Sequence, residues 1–367
     1  MNVTCTQENF SKGLQLVSRV ATTKSSLPVL ANILLQTKDG QLRLAATDLE
    51  IGVVTTIGAK VTTDGAITLP ARLLVDFVLN NTDPTLQIGV TQGEANIHSE
   101  RHVATVKGMD ASEFPLIPSV TDAQSITLPA KQLRTGLRDV LFAAAVDDAR
   151  PVLNGICIHL REKLMILAAT DSYRLAERRI PLKGTVPEAS LLLPVRAAQE
   201  LTRILPDTDQ EVTFQFNTNQ CSLNVDNTQI VSRLIDGTFP DYTQIIPTTA
   251  TTTVSLDRNE LIAAVRMASL FARDASHNIK CSVLPPTGCT ITAMSTTIGQ
   301  NTATVAATST GESIDIAFNA KYLLDALNAL GGDTVRLSLS GTDRAGVFHA
   351  EEDDNYLSLV MPLRTDG

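Results

Sequence analysis

The sequence predicts an α+β protein made of three repeated domains, each with two helices packed on antiparallel sheets. Three observations predict this fold. Motifs recur at a constant interval, each repeat contains two predicted helices, and short segments of alternating apolar and polar residues lie between the helices. The hexapeptide that begins at Leu69 recurs at Leu193 and, more weakly, at Phe318, at intervals of 124 and 125 residues. Three repeats of this length account for the 367 residues of the chain.

Two further landmarks keep the same interval. The segment Ala45-Ala46-Thr47-Asp48 recurs 123 residues later as Ala168-Ala169-Thr170-Asp171, and its third copy is reduced to Thr292-Ala293-Met294-Ser295. Phe114-Pro115 recurs 125 residues later as Phe239-Pro240. Chance similarity is a poor explanation for several landmarks that share one interval. The predicted domains are residues 1–122, 123–248 and 249–367.

The predicted helices are defined by apolar periodicity and by their start signals. In the first helix of the third repeat, Leu261, Val265 and Leu270 share one apolar face, and Asp257 with Glu260 forms a predicted capping box. Proline at a first helical position, or asparagine as the N-cap, marks the start of the second helices. The predicted helices are residues 8–21, 70–80, 129–144, 194–205, 257–272 and 319–330.

Strands are predicted between the helices. Residues 41–45 and 211–216 alternate apolar and polar side chains, and such segments are rich in Thr, Val and Ile. Turn residues such as Lys38-Asp39-Gly40 separate them. This pattern is typical of antiparallel strands with one face against helices.

The composition is that of a globular protein. Hydrophobic residues make up 43% of the chain and charged residues 19%, a balance that argues against disorder. No stretch reaches the ~18 apolar residues of a membrane helix, and the first residues lack a signal-peptide pattern. We therefore expect a cytoplasmic protein that does not enter a membrane. The five cysteines are scattered, which favours buried apolar positions over a metal site, and the sequence predicts neither a metal nor a cofactor.

The net charge of −9 hides an uneven distribution. The predicted helices, with Arg273 directly after the fifth, carry twelve cationic and seven anionic side chains, a net +5 that leaves −14 on the remainder. Four helices place a cation in the first turn, where the helix dipole disfavours it by ~0.3–1 kcal/mol, and recurrent violations of this kind concentrate at functional sites. If the helices share one face, that face holds a polyanion and the rest repels it; scattered surface charge is the alternative. The four cations are Arg72, Lys131, Arg196 and Lys321.

Short motifs spread over the whole chain share their order with one family. They include Leu27-Pro28-Val29-Leu30, Leu69-Pro70-Ala71-Arg72, Leu153-Asn154-Gly155, the segment from Asp236 to Tyr242, and Val360-Met361-Pro362-Leu363-Arg364. Each motif is weak alone, but together they resemble the bacterial DNA polymerase III β subunit, the β sliding clamp. The resemblance implies a homodimeric ring of two head-to-tail subunits, with helices lining the hole and sheets forming the rim. Such a ring is a processivity factor for DNA replication and has no catalytic activity.

The resemblance also implies how DNA is held. A closed ring encircles duplex DNA topologically, so its contacts go to phosphates and not to bases. For Lys24, an ordinary solvated lysine is an equally good interpretation. The candidate DNA-facing residues are Lys24, Arg72, Arg150 and Arg196.

A peptide pocket near the C-terminus is the second implied site. In this family, the replicative polymerase α subunit, the clamp loader and other partners dock a short motif of Gln and apolar residues there, and an apolar cleft with a few fixed polar groups suits such a motif. A plain core role is the alternative for Leu153 and Leu175. The sequence departs from the family at Ser172-Tyr173, where Gly-His is frequent, at Pro151, and at the extension Thr365-Asp366-Gly367. The candidate lining residues are Leu153, Thr170, Arg174, Leu175, Pro240, Ile245, Leu359, Met361, Pro362, Leu363 and Arg364.

The ring interface is the third implied site. Leu270 and Phe271, at the end of a helix in the third domain, would pack on the first domain of the neighbouring subunit near Val106. The alternative is that both side chains belong to the core of their own subunit.

Two other functions stay open at this point. One is a metal-dependent enzyme, although the sequence contains no recognised nucleophile, phosphate-binding or zinc motif, and the acidic run Glu351-Glu352-Asp353-Asp354 is typical of a solvated turn. The other is a specialised clamp, from a phage, a plasmid or a repair system, that does not serve the main polymerase. Docking of the replicative polymerase's tail peptide would separate the specialised clamp from the replicative one.

Overall fold

The computed structural model of the chain describes residues 1–23, 25–147, 149–286 and 288–363. Its helices begin and end within four residues of the predicted bounds, and the largest difference is at the end of the first helix. The α-helices in these ranges are Gln7–Val17 (α1), Ala71–Asn80 (α2), Ala130–Leu141 (α3), Val195–Ile204 (α4), Arg258–Phe271 (α5) and Ala320–Ala329 (α6).

The start signals of the helices act partly as predicted. The Asp257 carboxylate accepts a hydrogen bond from the Glu260 amide at 2.8 Å, and the Asn319 side chain caps α6. Pro70, Pro129 and Pro194 stand one position earlier than predicted, because each is the last residue of a strand and the helix begins at the next residue. The first-turn cations consequently occupy the second helical position.

The chain divides into two compact units, and the first comprises residues 1–130 and 204–234. It contains α1, α2 and two antiparallel sheets, whose strand orders are β5-β1-β7-β8-β9 and β10-β15-β16-β17-β4-β3-β2-β6. Its strands are Asn2–Thr6 (β1), Asn32–Lys38 (β2), Gln41–Thr47 (β3), Ile51–Ile57 (β4), Lys60–Thr63 (β5), Ala66–Pro70 (β6), Thr85–Thr91 (β7), Glu94–His98 (β8), Val103–Lys107 (β9), Gln124–Pro129 (β10), Glu211–Phe216 (β15), Gln220–Val225 (β16) and Thr228–Arg233 (β17).

The second unit comprises residues 131–203 and 235–367. It contains one twelve-stranded sheet of order β14-β11-β12-β13-β25-β24-β23-β18-β21-β20-β19-β22. Its strands are Gly155–Arg161 (β11), Leu164–Thr170 (β12), Arg174–Pro181 (β13), Ala189–Pro194 (β14), Thr252–Asp257 (β18), Asn278–Leu284 (β19), Gly288–Ser295 (β20), Gly299–Gly311 (β21), Ile314–Asn319 (β22), Thr334–Leu339 (β23), Gly346–Ala350 (β24) and Asp353–Val360 (β25).

Successive repeats are joined by strand pairing. In the first unit, β4 pairs antiparallel with β17, from Ile51 opposite Ser232 to Thr55 opposite Thr228. In the second unit, β13 pairs antiparallel with β25, and Arg174 lies opposite Val360. Sheets therefore run from one repeat into the next, which explains why the compact units and the repeats do not coincide.

A glycine lets the first helix of a repeat lie close to its sheet. A Cβ atom at Gly13 of α1 would lie 2.7 Å from Leu44 Cδ1 and 2.9 Å from Ile57 Cγ2, too close for a real contact. Gly136 of α3, 123 residues later, is crowded in the same way by Ile180 and Leu167. The shared spacing makes this glycine part of the repeat.

The helices are basic with their observed bounds as well. The described helices carry ten cationic and six anionic side chains, a net +4 against −9 for the whole chain. The acidic run of the β24–β25 turn is engaged by arginines: Arg336 lies 3.9 Å from Glu351 and 3.6 Å from Asp354, and Asp353 accepts from Arg178. In the part of the chain that the structure describes, no helix is long and apolar enough to cross a membrane.

Candidate functional site

Some of the predicted pocket residues come together in the second unit, where β13 pairs with β25. This pairing sets Leu175 opposite Leu359. Leu153, in the turn before β11, joins them in one buried apolar cluster that also includes Phe239 and Tyr242. All three leucines are buried core residues, as the core alternative for Leu153 and Leu175 predicts, and their place beneath a peptide pocket stays a prediction.

The accessible part of the site is its rim. Pro240 and Ile245 are exposed, and Met361, Pro362 and Leu363 are half-buried. Tyr173, so far only a departure from the family, is 60% exposed, and its backbone is hydrogen-bonded to that of Met361. An exposed apolar rim over an apolar floor suits an apolar peptide side chain.

The segment after β25 is fixed in place by backbone hydrogen bonds. The Met361 amide donates to the Tyr173 carbonyl at 2.8 Å, and the Leu363 amide donates to the Ala317 carbonyl at 2.8 Å. Met361 and Leu363 are thus held by the turn before β13 and by β22. Arg364 and the extension Thr365-Asp366-Gly367 lie outside the described residues.

Arg174 is fixed within the site. Its side chain donates to Asp171 at 3.0 Å and to Asp325 of α6 at 2.5 Å, and its guanidinium lies 4.7 Å from the ring centroid of Tyr322. The residue is only 8% exposed. Arg174 therefore positions the rim, since Tyr173 stacks on the same Tyr322 ring with centroids 6.2 Å apart.

Thr170 shapes the turn between β12 and β13. Its hydroxyl donates to the Arg174 carbonyl at 2.7 Å and accepts from the Ser172 amide at 3.1 Å. Ser172 has φ +78°, a left-handed conformation that glycine adopts at low cost. This conformation gives a physical reason for the family's frequent glycine at the position.

A cleft of about 760 Å³, lined by both apolar and charged side chains, adjoins the pocket and shares Pro240 with it. The Tyr242 hydroxyl donates to Glu177 at 2.6 Å, and Arg179 donates to the other carboxylate oxygen at 2.8 Å. Burial raises the pKa of Tyr242, and the Glu177 carboxylate raises it further. Burial also raises the pKa of the nearby Cys157 thiol to about 12, so this thiol is protonated at neutral pH and is not an activated nucleophile.

The candidate DNA-facing residues lie at the starts of helices and in a loop. Arg72 is the second residue of α2, with its side chain 96% exposed and 3.9 Å from Asp76. Arg196 is the second residue of α4 and is exposed. Arg150 is exposed in the loop before β11 and donates to the Ser172 hydroxyl at 3.0 Å. Lys24 lies outside the described residues.

The candidate interface residues differ in accessibility. Leu270 and Phe271 end α5, and Leu270 is exposed together with Met267 of the same helix. Val106 of β9 is buried in its own subunit, whereas Val103 of the same strand is 70% exposed. The accessible apolar side chain of β9 is therefore Val103, which sequence reasoning missed.

Metal-ligating side chains are dispersed. Among the described residues, no group of three or more His, Cys, Asp or Glu side chains is placed to hold a metal ion. All five cysteines are buried and free, and the Cys281 and Cys289 sulfurs lie 3.8 Å apart.

Comparison with known proteins identifies the family. Models of the N-terminal, central and C-terminal domains of the DNA polymerase III beta subunit match residues 1–118, 127–241 and 243–364. The chain is 30% identical to the beta sliding clamp of Staphylococcus aureus, over the full length of both chains. It superposes on the DNA polymerase sliding clamp of Bacillus subtilis with a TM-score of 0.96 and 27% identity, covering 100% of this chain and 99% of that one. The Pseudomonas aeruginosa sliding clamp bound to griselimycin gives a TM-score of 0.95 and 27% identity over all of both chains.

Three domains of this kind in succession define the class of protein as a DNA sliding clamp. The chain belongs to the DNA polymerase III β subunit family. It is therefore a processivity factor of DNA replication, an accessory subunit and not a polymerase enzyme.

Proposed function

We propose that two copies of this chain close head to tail into a ring that encircles duplex DNA without sequence specificity. Within the ring, the domains are residues 1–122, 123–248 and 249–367. The ring tethers the replicative polymerase α subunit, the clamp loader and other proteins that carry the docking motif. It acts in the cytoplasm without cofactor or catalytic site, and the buried free thiols accord with a reducing compartment.

The repeated strand pairing is the observation that carries the ring. Strand β17, which ends the second repeat, pairs with β4 of the first repeat, and β25, which ends the third repeat, pairs with β13 of the second. The counterpart of β17 and β25 in the first repeat is β9, an edge strand. The counterpart of β4 and β13 in the third repeat is the start of β21, which pairs with β20 on one side.

The open edge of β9 in one copy can pair with the open edge at the start of β21 in another copy. An exposed sheet edge presents unpaired backbone groups that favour pairing with another chain, and head-to-tail contacts generate rings when the rotation closes. Pairing of β9 with β21 of the next copy would repeat the junction that the chain already forms twice. It would also bring Val103 toward the exposed apolar side chains at the end of α5, with Val106 contributing through its strand.

The charge of the helices supports DNA as the encircled ligand. The described helices carry a net charge of +4, whereas the rest of the chain carries an excess of anions. A lining made of these helices would attract phosphates weakly, and the rim would repel them. The proposed phosphate contacts are Lys24, Arg72, Arg150 and Arg196.

The pocket supports docking of short peptides. Its floor is formed by Leu153, Leu175 and Leu359, and its rim includes Tyr173 and Met361. We propose that an apolar side chain of the partner motif enters over this floor, with Thr170, Arg174, Pro240, Ile245 and residues 362–364 completing the site.

Two experiments test the proposal. Negative-stain electron microscopy with light-scattering mass should show a two-subunit particle whose hole admits a duplex ~20 Å across; a solid monomeric particle would contradict the ring. For docking, the polymerase tail peptide should bind the intact chain and a variant lacking residues 365–367, but not a variant lacking 361–367. If the intact chain does not bind the tail peptide, a specialised clamp is the favoured interpretation.

A further inference from the structure

The turn between β3 and β4 in the first unit has the same construction as the pocket turn between β12 and β13. The Thr47 hydroxyl donates to the Ile51 carbonyl at 2.8 Å, as the Thr170 hydroxyl does to the Arg174 carbonyl at 2.7 Å. Asp48 Oδ1 accepts from two amides of its turn at 3.0 and 2.8 Å, and Asp171 Oδ1 does so at 2.9 and 3.0 Å.

The neighbouring strand repeats its contact as well. The Arg233 amide donates to the Glu50 carbonyl at 2.9 Å, and the Met361 amide donates to the Tyr173 carbonyl at 2.8 Å. Glu50 and Arg233 therefore occupy the positions that Tyr173 and Met361 occupy at the rim of the pocket. The first unit contains a structural counterpart of the proposed peptide pocket.

This counterpart is an open cleft of about 320 Å³, which we call the junction cleft. Its volume is within the range of small ligand sites. Its principal lining residues are Leu49, Glu50, Leu116, Ile117, Val231 and Arg233.

Two leucines in the junction cleft are placed against the usual preferences. Leu116 is 96% exposed and Leu49 is 44% exposed, so two apolar side chains are accessible to solvent at the edge of the cleft. Leu49 also has φ +78°, a conformation that a bulky side chain rarely adopts. Strain of this kind clusters at functional sites, and here it holds an apolar side chain at the cleft.

The charged residues of the junction cleft indicate its specificity. Arg233 Nη1 lies 3.7 Å from Glu50 Oε1, too far for a hydrogen bond, and both side chains are 61% exposed. The two side chains form an exposed ion pair, and a partner's carboxylate would compete with Glu50 for the paired donors of the planar guanidinium. The corresponding pocket residues, Tyr173 and Met361, are uncharged, so the two sites would select different peptides.

We propose that the junction cleft is a second docking site, which takes a peptide of a partner protein that carries an apolar residue next to an Asp or Glu. The apolar side chain lies between Leu49, Leu116 and Val231, and the carboxylate meets Arg233. The inference rests on the proposed function, since it assumes that partners dock to this protein through short motifs.

Methyl NMR of the full-length protein, with labelled Ile, Leu, Val and Met side chains, tests the inference. The probe is N-acetyl-Leu-Glu amide, and N-acetyl-Leu-Lys amide is its charge-reversed control. We expect saturable shifts of the Leu49, Leu116 and Val231 methyl groups, with at least fivefold weaker binding of the Lys probe. Arg233→Gln should abolish this preference.

Leu116→Ser should weaken binding of the Leu-Glu probe at least tenfold. Leu79→Ser, in α2 outside the junction cleft, is the control, because Leu79 is also an exposed leucine of the first unit. Equal affinity of the two probes, an unchanged affinity in Leu116→Ser, or an absence of saturable shifts would overturn the inference. Broadening of the same methyl groups with protein concentration alone would identify a second copy as the occupant and would also overturn it.

A second titration separates this inference from the proposed function. In the variant lacking residues 361–367, the junction cleft should still bind the Leu-Glu probe while the polymerase tail peptide no longer docks. Binding of the Leu-Glu probe in the intact chain without docking of the tail peptide would contradict the proposed function alone. Docking of the tail peptide without shifts at the junction cleft would contradict this inference alone.

Discussion

Replacement of Arg178 by Met tests the buried ion pairs at the β13–β25 junction. Arg178 donates to Asp139 Oδ2 through Nε at 2.9 Å and Nη2 at 2.6 Å, and to Asp353 through Nη1 at 2.5 Å. Its guanidinium lies 4.7 Å from the ring centroid of Tyr356, whose hydroxyl donates to the Asp139 carbonyl. One side chain thus joins α3 of the second repeat to β25 of the third.

The size of the effect follows from the burial of Asp139. Its side chain is 5% exposed, and burial raises its pKa despite the adjacent Arg178. Loss of one partner from a buried pair leaves an uncompensated charge and costs about 3–5 kcal/mol. Asp353 is one-third exposed, so solvent limits its share to less than about 1 kcal/mol. We therefore expect Arg178→Met to lower the free energy of unfolding of the second unit by about 3–5 kcal/mol at pH 7.

The pH dependence has a definite sign. A raised folded-state pKa means that folded Asp139 binds a proton more tightly than unfolded Asp139 does. Without Arg178 this pKa rises further, because the attraction that opposed burial is gone. The cost of the substitution is complete above the folded-state pKa and decreases as the pH falls through it, so it should be smaller at pH 5 than at pH 7.

Urea unfolding followed by circular dichroism measures the effect. Arg138→Met is the matched control, because Arg138 is 72% exposed and 3.9 Å from the same Asp139, and its loss should cost less than about 1 kcal/mol. The double variant Arg178→Met with Asp139→Leu should recover most of the stability, since it buries no unpaired charge. A loss below about 1 kcal/mol for Arg178→Met, or a loss that grows as the pH falls, would refute the reasoning.

Three further predictions concern acid stability, a helix cap and the subunit interface. Hydrogen bonds, first from Ser99, lower the pKa of Asp83 from 3.8 to about 2, so its stabilisation is complete above pH 4 and is lost toward pH 2. Asp83→Asn should flatten this decline in thermal melts, and an unchanged pH profile would exclude the role. Asp257→Ala removes the N-cap of α5 and should cost about 1 kcal/mol in urea unfolding; no change would show that the cap is dispensable. Leu270→Ala with Phe271→Ala should shift the proposed dimer toward monomer in analytical ultracentrifugation, and an unchanged dissociation constant would exclude these residues from the interface.

The repeated pattern predicted the helices well because their signals are local. Apolar periodicity and caps lie within a few residues of each other, so Asp257 and Asn319 were found in the roles that the structure gives them. The pairing of β4 with β17 had no such local signal. Its paired residues, such as Thr55 and Thr228, lie 173 residues apart, and strand register depends on which faces are buried and not on a short motif. The glycine shared by Gly13 and Gly136 did carry a signal, its interval of 123 residues, which could have been read from the sequence.

The clustering of three candidate pocket residues could be predicted from the sequence, whereas their role in docking stays a prediction. Leu153, Leu175 and Leu359 were identified through short motifs, and the structure brings them into one cluster. The fixed state of Arg174 was not predictable, because its partner Asp325 lies 151 residues away on α6. Its cation–π partner Tyr322 was likewise missed, since an aromatic residue early in a helix is no signal by itself.

The junctions share one backbone pattern but differ in the side chains that reinforce it. At the β13–β25 junction, Arg178 links two aspartates across the repeats. At the β4–β17 junction, the hydroxyls of Thr55 and Thr228 lie 2.8 Å apart instead. The segment Gly299–Val305 of β21 carries no charged residue. In the proposed ring, pairing between copies would therefore rely on backbone hydrogen bonds and exposed apolar side chains, without the buried ion pairs of the β13–β25 junction. If the proposed ring opens to admit DNA while the proposed docking site keeps its shape, we expect the β13–β25 junction to be the rigid one and the contact between copies to be the reversible one.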